Sequence, residues 1–185
     1  YWKIGTIHIL EGFDHLLFVL ALILIVPGWW MLLKTITAFT LAHSITLALA
    51  TLGLVTLPGP PTEAVIALSI LFLAVEIVHS RQGKITLTER YPWLVALSFG
   101  LVHGLGFAGA LSEVGLPDSD IPLALLMFNV GVETGQLLFV CVVVLVRELL
   151  QRLPVNWPDQ SWRFLPYTIG GISSFWVIER VSSFA

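Results

Sequence analysis

The chain is built from apolar runs of about twenty residues, the length that crosses a lipid core as a helix. Short clusters of glycine, proline and charge break them, most clearly Pro27-Gly28-Trp29-Trp30 and Pro58-Gly59-Pro60-Pro61. Such runs are too long for barrel strands of roughly ten residues. In hydrocarbon, a helix satisfies its own backbone hydrogen bonds. The expected fold is therefore all-α, a polytopic transmembrane helix bundle. Composition supports this: of 185 residues, 57% are hydrophobic and 11% charged, where a soluble domain carries about 25% charge. Mean hydropathy is +0.92. Nine Lys/Arg and twelve Asp/Glu cannot cover a soluble surface at this size. A soluble enzyme, a nucleic-acid binder and a disordered linker are excluded. With a net charge of -3 and no basic block, nothing is present to hold a phosphate backbone.

Six spans are expected, at about 7–26, 31–57, 63–80, 93–111, 121–146 and 164–181. They form one transmembrane domain over 1–185. Orientation follows from short loops. Lys34, then Arg81, Lys84 and Arg90, then Arg147, Arg152 and Arg163 flank alternate connections, while Glu113, Asp118 and Asp120 fill the fourth. The positive-inside rule places both termini outside. Lys3 and Arg180 vote weakly against it. Trp2, Trp29, Trp30, Trp93 and Trp162 fall at segment ends, as an interfacial belt does. The lone Cys141, within the apolar run 137–146, reads as a small buried hydrophobe and excludes an internal disulfide. Opening at Tyr1 rather than methionine, the chain reads as a processed product or a fragment of a longer exported precursor.

The informative residues are those that lipid should forbid. All five histidines, His8, His15, His43, His79 and His103, lie in or at the edge of apolar segments, together with Glu11, Asp14, Glu76 and Glu133. Each costs about 2.5–3.5 kcal/mol to insert on the translocon scale. A metal ion is the economical common purpose, because it neutralises carboxylates and takes neutral imidazoles. His8, Glu11 and His15 follow at steps of three and four and share one face of a straight helix, with Asp14 beside it. Glu76 and His79 are three apart, and Asn129, Glu133 and Gln136 form a third stripe. Counting along straight spans places Asp14, His15, His43, His103 and Glu133 in one central layer. His8 and Glu11 stand above it to recruit a cation, and Glu76 and His79 below it to release one. The alternative for these groups is helix-to-helix hydrogen bonding, and His79 reads equally as a helix end.

Nitrogen and oxygen ligands of this kind suit nickel, zinc, iron or cobalt, and the absence of thiolates disfavours copper(I). Gly100 and Gly104 flank His103 as a small-xxx-small pair that would let a neighbouring backbone approach. Gly131 and Gly135 bracket Glu133 in the same way. Thr40, Ser44 and Thr46 support His43 or bond back to their own helix. No nucleotide loop or nucleophile elbow occurs, so ATP-driven work within the chain is not expected.

The segment His8-Ile-Leu-Glu-Gly-Phe-Asp-His15-Leu-Leu-Phe resembles the first helix of the HupE/UreJ family of membrane proteins. Phe39-Thr-Leu-Ala-His43-Ser-Ile-Thr-Leu, Phe99-Gly-Leu-Val-His103-Gly-Leu-Gly-Phe-Ala and Phe128-Asn-Val-Gly-Val-Glu133-Thr-Gly-Gln136 are similar to further stretches of that family. The likeness spans roughly residues 5–145. It implies a nickel, or nickel/cobalt, permease of a bacterial inner membrane, with His8 or Glu11 through Asp14 and His15 as the first motif. Divalent metal uptake, nickel foremost, is then the leading expectation. An intramembrane metalloenzyme with a mono- or dinuclear His/carboxylate centre is the alternative, and a membrane-anchored sensor or assembly factor a third. Membrane lipid and the metal ion are the expected partners. A homo-oligomer and a removed exported domain stay open.

Overall fold

The structure is a computed structural model that describes residues 1–106, 120–154, 158 and 160–185. Gly109, Glu113, Asp118 and the end of the expected fourth span at Leu111 lie outside the described residues. The described chain is helical. Its elements are α1 (Trp2–Glu11), α2 (Phe13–Ile25), α3 (Trp29–Thr51), α4 (Gly59–Arg81), the short α5 (Leu87–Arg90), α6 (Pro92–Gly106), α7 (Ile121–Gln151) and α8 (Phe164–Ser182). A single 3-10 turn, Ser161–Arg163, precedes α8.

Six straight crossings are not what forms. Among the described residues, three helices are long and apolar enough to cross a membrane: α3, α4 and α7. The count is four if α1 and α2 are taken as one broken span, since they are bent by 77°. The break is Gly12, whose ψ of 93° leaves the helical region for one residue. Backbone bonds continue on both sides, Gly12 N to His8 O at 3.0 Å and Leu16 N to Gly12 O at 3.0 Å. Helix α6 has 15 described residues, about 22 Å at 1.5 Å per residue, short of a roughly 30 Å core. Helix α8 has 19 residues but is diluted by Gly170-Gly171, Ser173-Ser174 and Glu179-Arg180. The alternating orientation with both termini outside rested on six straight spans, and it falls with them.

Two close crossings assemble the bundle. Helix α1 lies on α7, and α3 on α6. A Cβ on Gly5 would overlap the Phe128 carbonyl, and one on Gly131 the Trp2 carbonyl. On the other pair, Gly100 faces the carbonyl of Phe39 and Gly104 that of His43. Backbones can approach this closely only where side chains are absent. The core between them is apolar, with Phe18, Phe39, Ile36, Leu22, Ile70 and Leu73 all buried. Cys141 is a correction: it is exposed, on the half of α7 that protein does not cover. An apolar side chain facing lipid needs no protein partner.

The link between α4 and α6 is closed by polar bonds. Thr86 and Glu89 form a reciprocal capping box at α5, the device that satisfies two otherwise orphaned backbone donors. Ser80 Oγ donates to Glu89 Oε1 at 2.6 Å. The Ser80 hydroxyl holds the Glu89 carboxyl below the ordinary glutamate range.

Candidate metal site

The bend at Gly12 makes the site. It turns α2 back against the end of α1, and the rings of His8 and His15 meet edge-to-face with centroids 4.7 Å apart. Helix α3 brings His43, its ring 6.2 Å from that of His15 and 6.3 Å from that of His8. One ligand atom from each of His8, His15 and His43 lies within 4.8 Å of the others. This is the one group of three such side chains among the described residues. His103, from α6, joins its edge, 5.3 Å ring to ring from His15.

Two of the rings are held through their outer nitrogens. Asp14 Oδ1 accepts from the His15 backbone N at 2.8 Å and lies 3.0 Å from His15 Nδ1. His103 Nδ1 is 2.8 Å from the Phe99 carbonyl, to which it donates. Each outer contact sets the tautomer that leaves Nε2 as a lone-pair donor, the usual arrangement behind a metal-ligating histidine. Both Nε2 atoms are buried without a hydrogen-bond partner among the described residues, as are both ring nitrogens of the fully buried His43. Asn129 stands beside His43, but its Nδ2 donates to Leu125 O at 2.8 Å and its Oδ1 is unpaired. Native interiors rarely leave so many polar atoms unmet in one place. A cation could take one nitrogen lone pair from each ring.

Phe18 and Phe39 wall the cluster, each with its ring 5.0 Å from His103. A cavity of about 230 Å³ reaches it, lined by His8, Asp14, His15 and His103 and also by Glu63 and Arg180. A second cavity, of about 350 Å³, shares His8 and Gly12 and carries Glu11.

The other expected residues are distributed differently. His8 stands among the converging three rather than above them, because the break at Gly12 turns α2 back against the end of α1. Glu11 is exposed in the neighbouring cavity. Glu76 is engaged away from the histidines: its Oε2 accepts from Thr88 N at 2.7 Å and so anchors α5. His79 lies in the last turn of α4, against α8. Glu133 accepts from Thr37 Oγ1 at 2.7 Å, and Gln136 Oε1 from Thr40 Oγ1 at 2.9 Å, two bonds that tie α7 to α3. Thr40, Ser44 and Thr46 all bond back to their own helix. Thr37, Glu63 and Arg180 carried no sequence signal as a group, since their partners are distant in the chain. Gly12 did, as a glycine inside an apolar run.

Apolar helices of spanning length and a buried three-histidine cluster define a multi-pass membrane protein with a metal-binding site. The family model described as HupE / UreJ protein matches residues 1–180. The chain belongs to the HupE/UreJ family, which is of permease type, in keeping with transport rather than catalysis. No curated protein and no solved structure gives a match.

Proposed function

We propose that this protein is a permease for a divalent transition metal, nickel on the strength of its family, with the cation passing through the His8–His15–His43 cluster. One observation carries the reading: three imidazoles from three helices converge within 4.8 Å. Imidazole nitrogen suits nickel, zinc and cobalt, which are the other cargoes to compare.

In this reading His8, His15 and His43 take the ion and His103 adds a fourth nitrogen from the edge. Asp14 orients His15 and balances part of the charge. Glu133, held by Thr37, supplies a further negative charge beside α3 or exchanges a proton. Gln136 positions Thr40, and Asn129 stands beside His43. Gly100 and Gly104 let α6 approach α3 closely enough to deliver His103. The two cavities that share His8 give the ion a way in and a way on. Protons compete for neutral imidazoles, so uptake falls at acid pH.

The test is nickel uptake by proteoliposomes of the purified protein, with His15→Ala and His43→Ala beside the parent. Both variants should lose uptake. Uptake unchanged in His15→Ala would sink the assignment.

A further inference from the structure

The cavity that reaches the histidines has an ion pair in its lining. Glu63, in the first turns of α4, and Arg180, near the end of α8, bring their Oε2 and Nε to 3.5 Å. The Glu63 side chain is 52% exposed and that of Arg180 21%, so the carboxylate is the outer group and the guanidinium the inner one. Both line the same cavity as Asp14, His15 and His103.

In this pair the Glu63 carboxylate is the group that attracts a cation, and the Arg180 guanidinium is the charge that competes for it. A pair this exposed and this long is weak and easily exchanged. Arg180 also has two other holds: its Nη1 donates to the Glu63 backbone O at 2.9 Å, and it stacks over the Trp176 ring with Cζ 5.5 Å from the centroid. When the Glu63 carboxylate leaves, those contacts keep Arg180 in place. The carboxylate can therefore move between two cations without dismantling the contact of α4 with α8.

We propose that Glu63 and Arg180 form a displaceable electrostatic gate over the histidine cavity, with Glu63 the first group to bind an incoming divalent cation and Arg180 the charge that cation must replace. The inference rests on the reading of the histidine cluster as the metal site, and it adds how the ion is admitted. Charge at a cleft mouth acts on association more than on final affinity. A gate and a resident ligand therefore differ in kinetics.

The experiment is rapid mixing of Ni²⁺ with the full chain in lipid nanodiscs, together with equilibrium titration and thermal unfolding. Glu63→Gln should slow association about tenfold or more and flatten its dependence on ionic strength, while the equilibrium constant stays within about threefold. Glu63→Asp should keep most of the rate, and Arg180→Gln should raise it. Wild-type association rates in Glu63→Gln, with only a lowered unfolding temperature, would overturn the gate and leave a structural clasp. Loss of equilibrium binding in Glu63→Gln as deep as in His15→Ala would also overturn it, making Glu63 a resident ligand. If His15→Ala binds as the parent does, the histidine reading fails, and the gate with it.

Discussion

Asp14 grips His15 twice, through the backbone N at 2.8 Å and the ring Nδ1 at 3.0 Å. A carboxylate in this position fixes the ring and leaves Nε2 as the nitrogen with a free lone pair. Replacing Asp14 by Asn keeps the shape but weakens the hold on the tautomer and removes the charge. Nickel affinity should drop by about 10- to 100-fold, the range for loss of such an orienting group. Equilibrium dialysis of Asp14→Asn measures this, and an unaltered affinity would show that the carboxylate does not serve the metal.

The bend at Gly12 is a matter of space. A Cβ there would lie 2.8 Å from His15 Nδ1, 2.9 Å from the His8 carbonyl and 3.3 Å from Asp14 Oδ1. Its φ of -79° is ordinary, so backbone strain is not the obstacle. Gly12→Ala should cost about 1–3 kcal/mol, as overpacking does, and should weaken nickel binding together with stability. Equal affinity and equal melting temperature would mean that the bend accommodates a methyl group.

Two glycines in apolar helices make a controlled comparison. Gly131 faces the Trp2 carbonyl, whereas nothing lies within 4 Å of a Cβ on Gly171. Gly131→Ala should be destabilising by about 2 kcal/mol or more, separating α1 from α7 and displacing His8. Gly171→Ala should be neutral or stabilising by up to about 1 kcal/mol, from helix propensity alone. Thermal unfolding of both in one detergent decides it, and equal losses would contradict the crossing described above.

The Ser80–Glu89 contact carries a pH signature. The folded carboxylate ionises below its ordinary range, so its contribution is full above the unfolded pKa and disappears as pH falls through the folded one. Ser80→Ala should cost about 0.5–1 kcal/mol at neutral pH, the net worth of one hydrogen bond, and nothing in strong acid. Melting curves at the two pH values should diverge at neutral pH only. A constant gap would place the effect of Ser80 elsewhere.

Much of this protein is legible one turn at a time. Long apolar runs require helices in lipid, and Pro27-Gly28 and Pro58-Gly59 mark where two of them begin. The cost of burying His15, His43 and His103 in such runs already points to a shared ligand. These inferences rest on backbone hydrogen bonding and transfer free energy, which act locally. The number of crossings and the membership of the cluster do not. His8 and His15 share a face on a straight helix, but they close on each other because one glycine bends the chain by 77°. Glu76 has the spacing of a ligand beside His79, yet it anchors the backbone of Thr88. Thr37 meets Glu133, and Arg180 meets Glu63, across 96 and 117 residues. Periodicity records which face of a helix is polar. Which partner that face meets depends on how closely two backbones approach, and Gly5, Gly100, Gly104 and Gly131 set that in the tertiary structure.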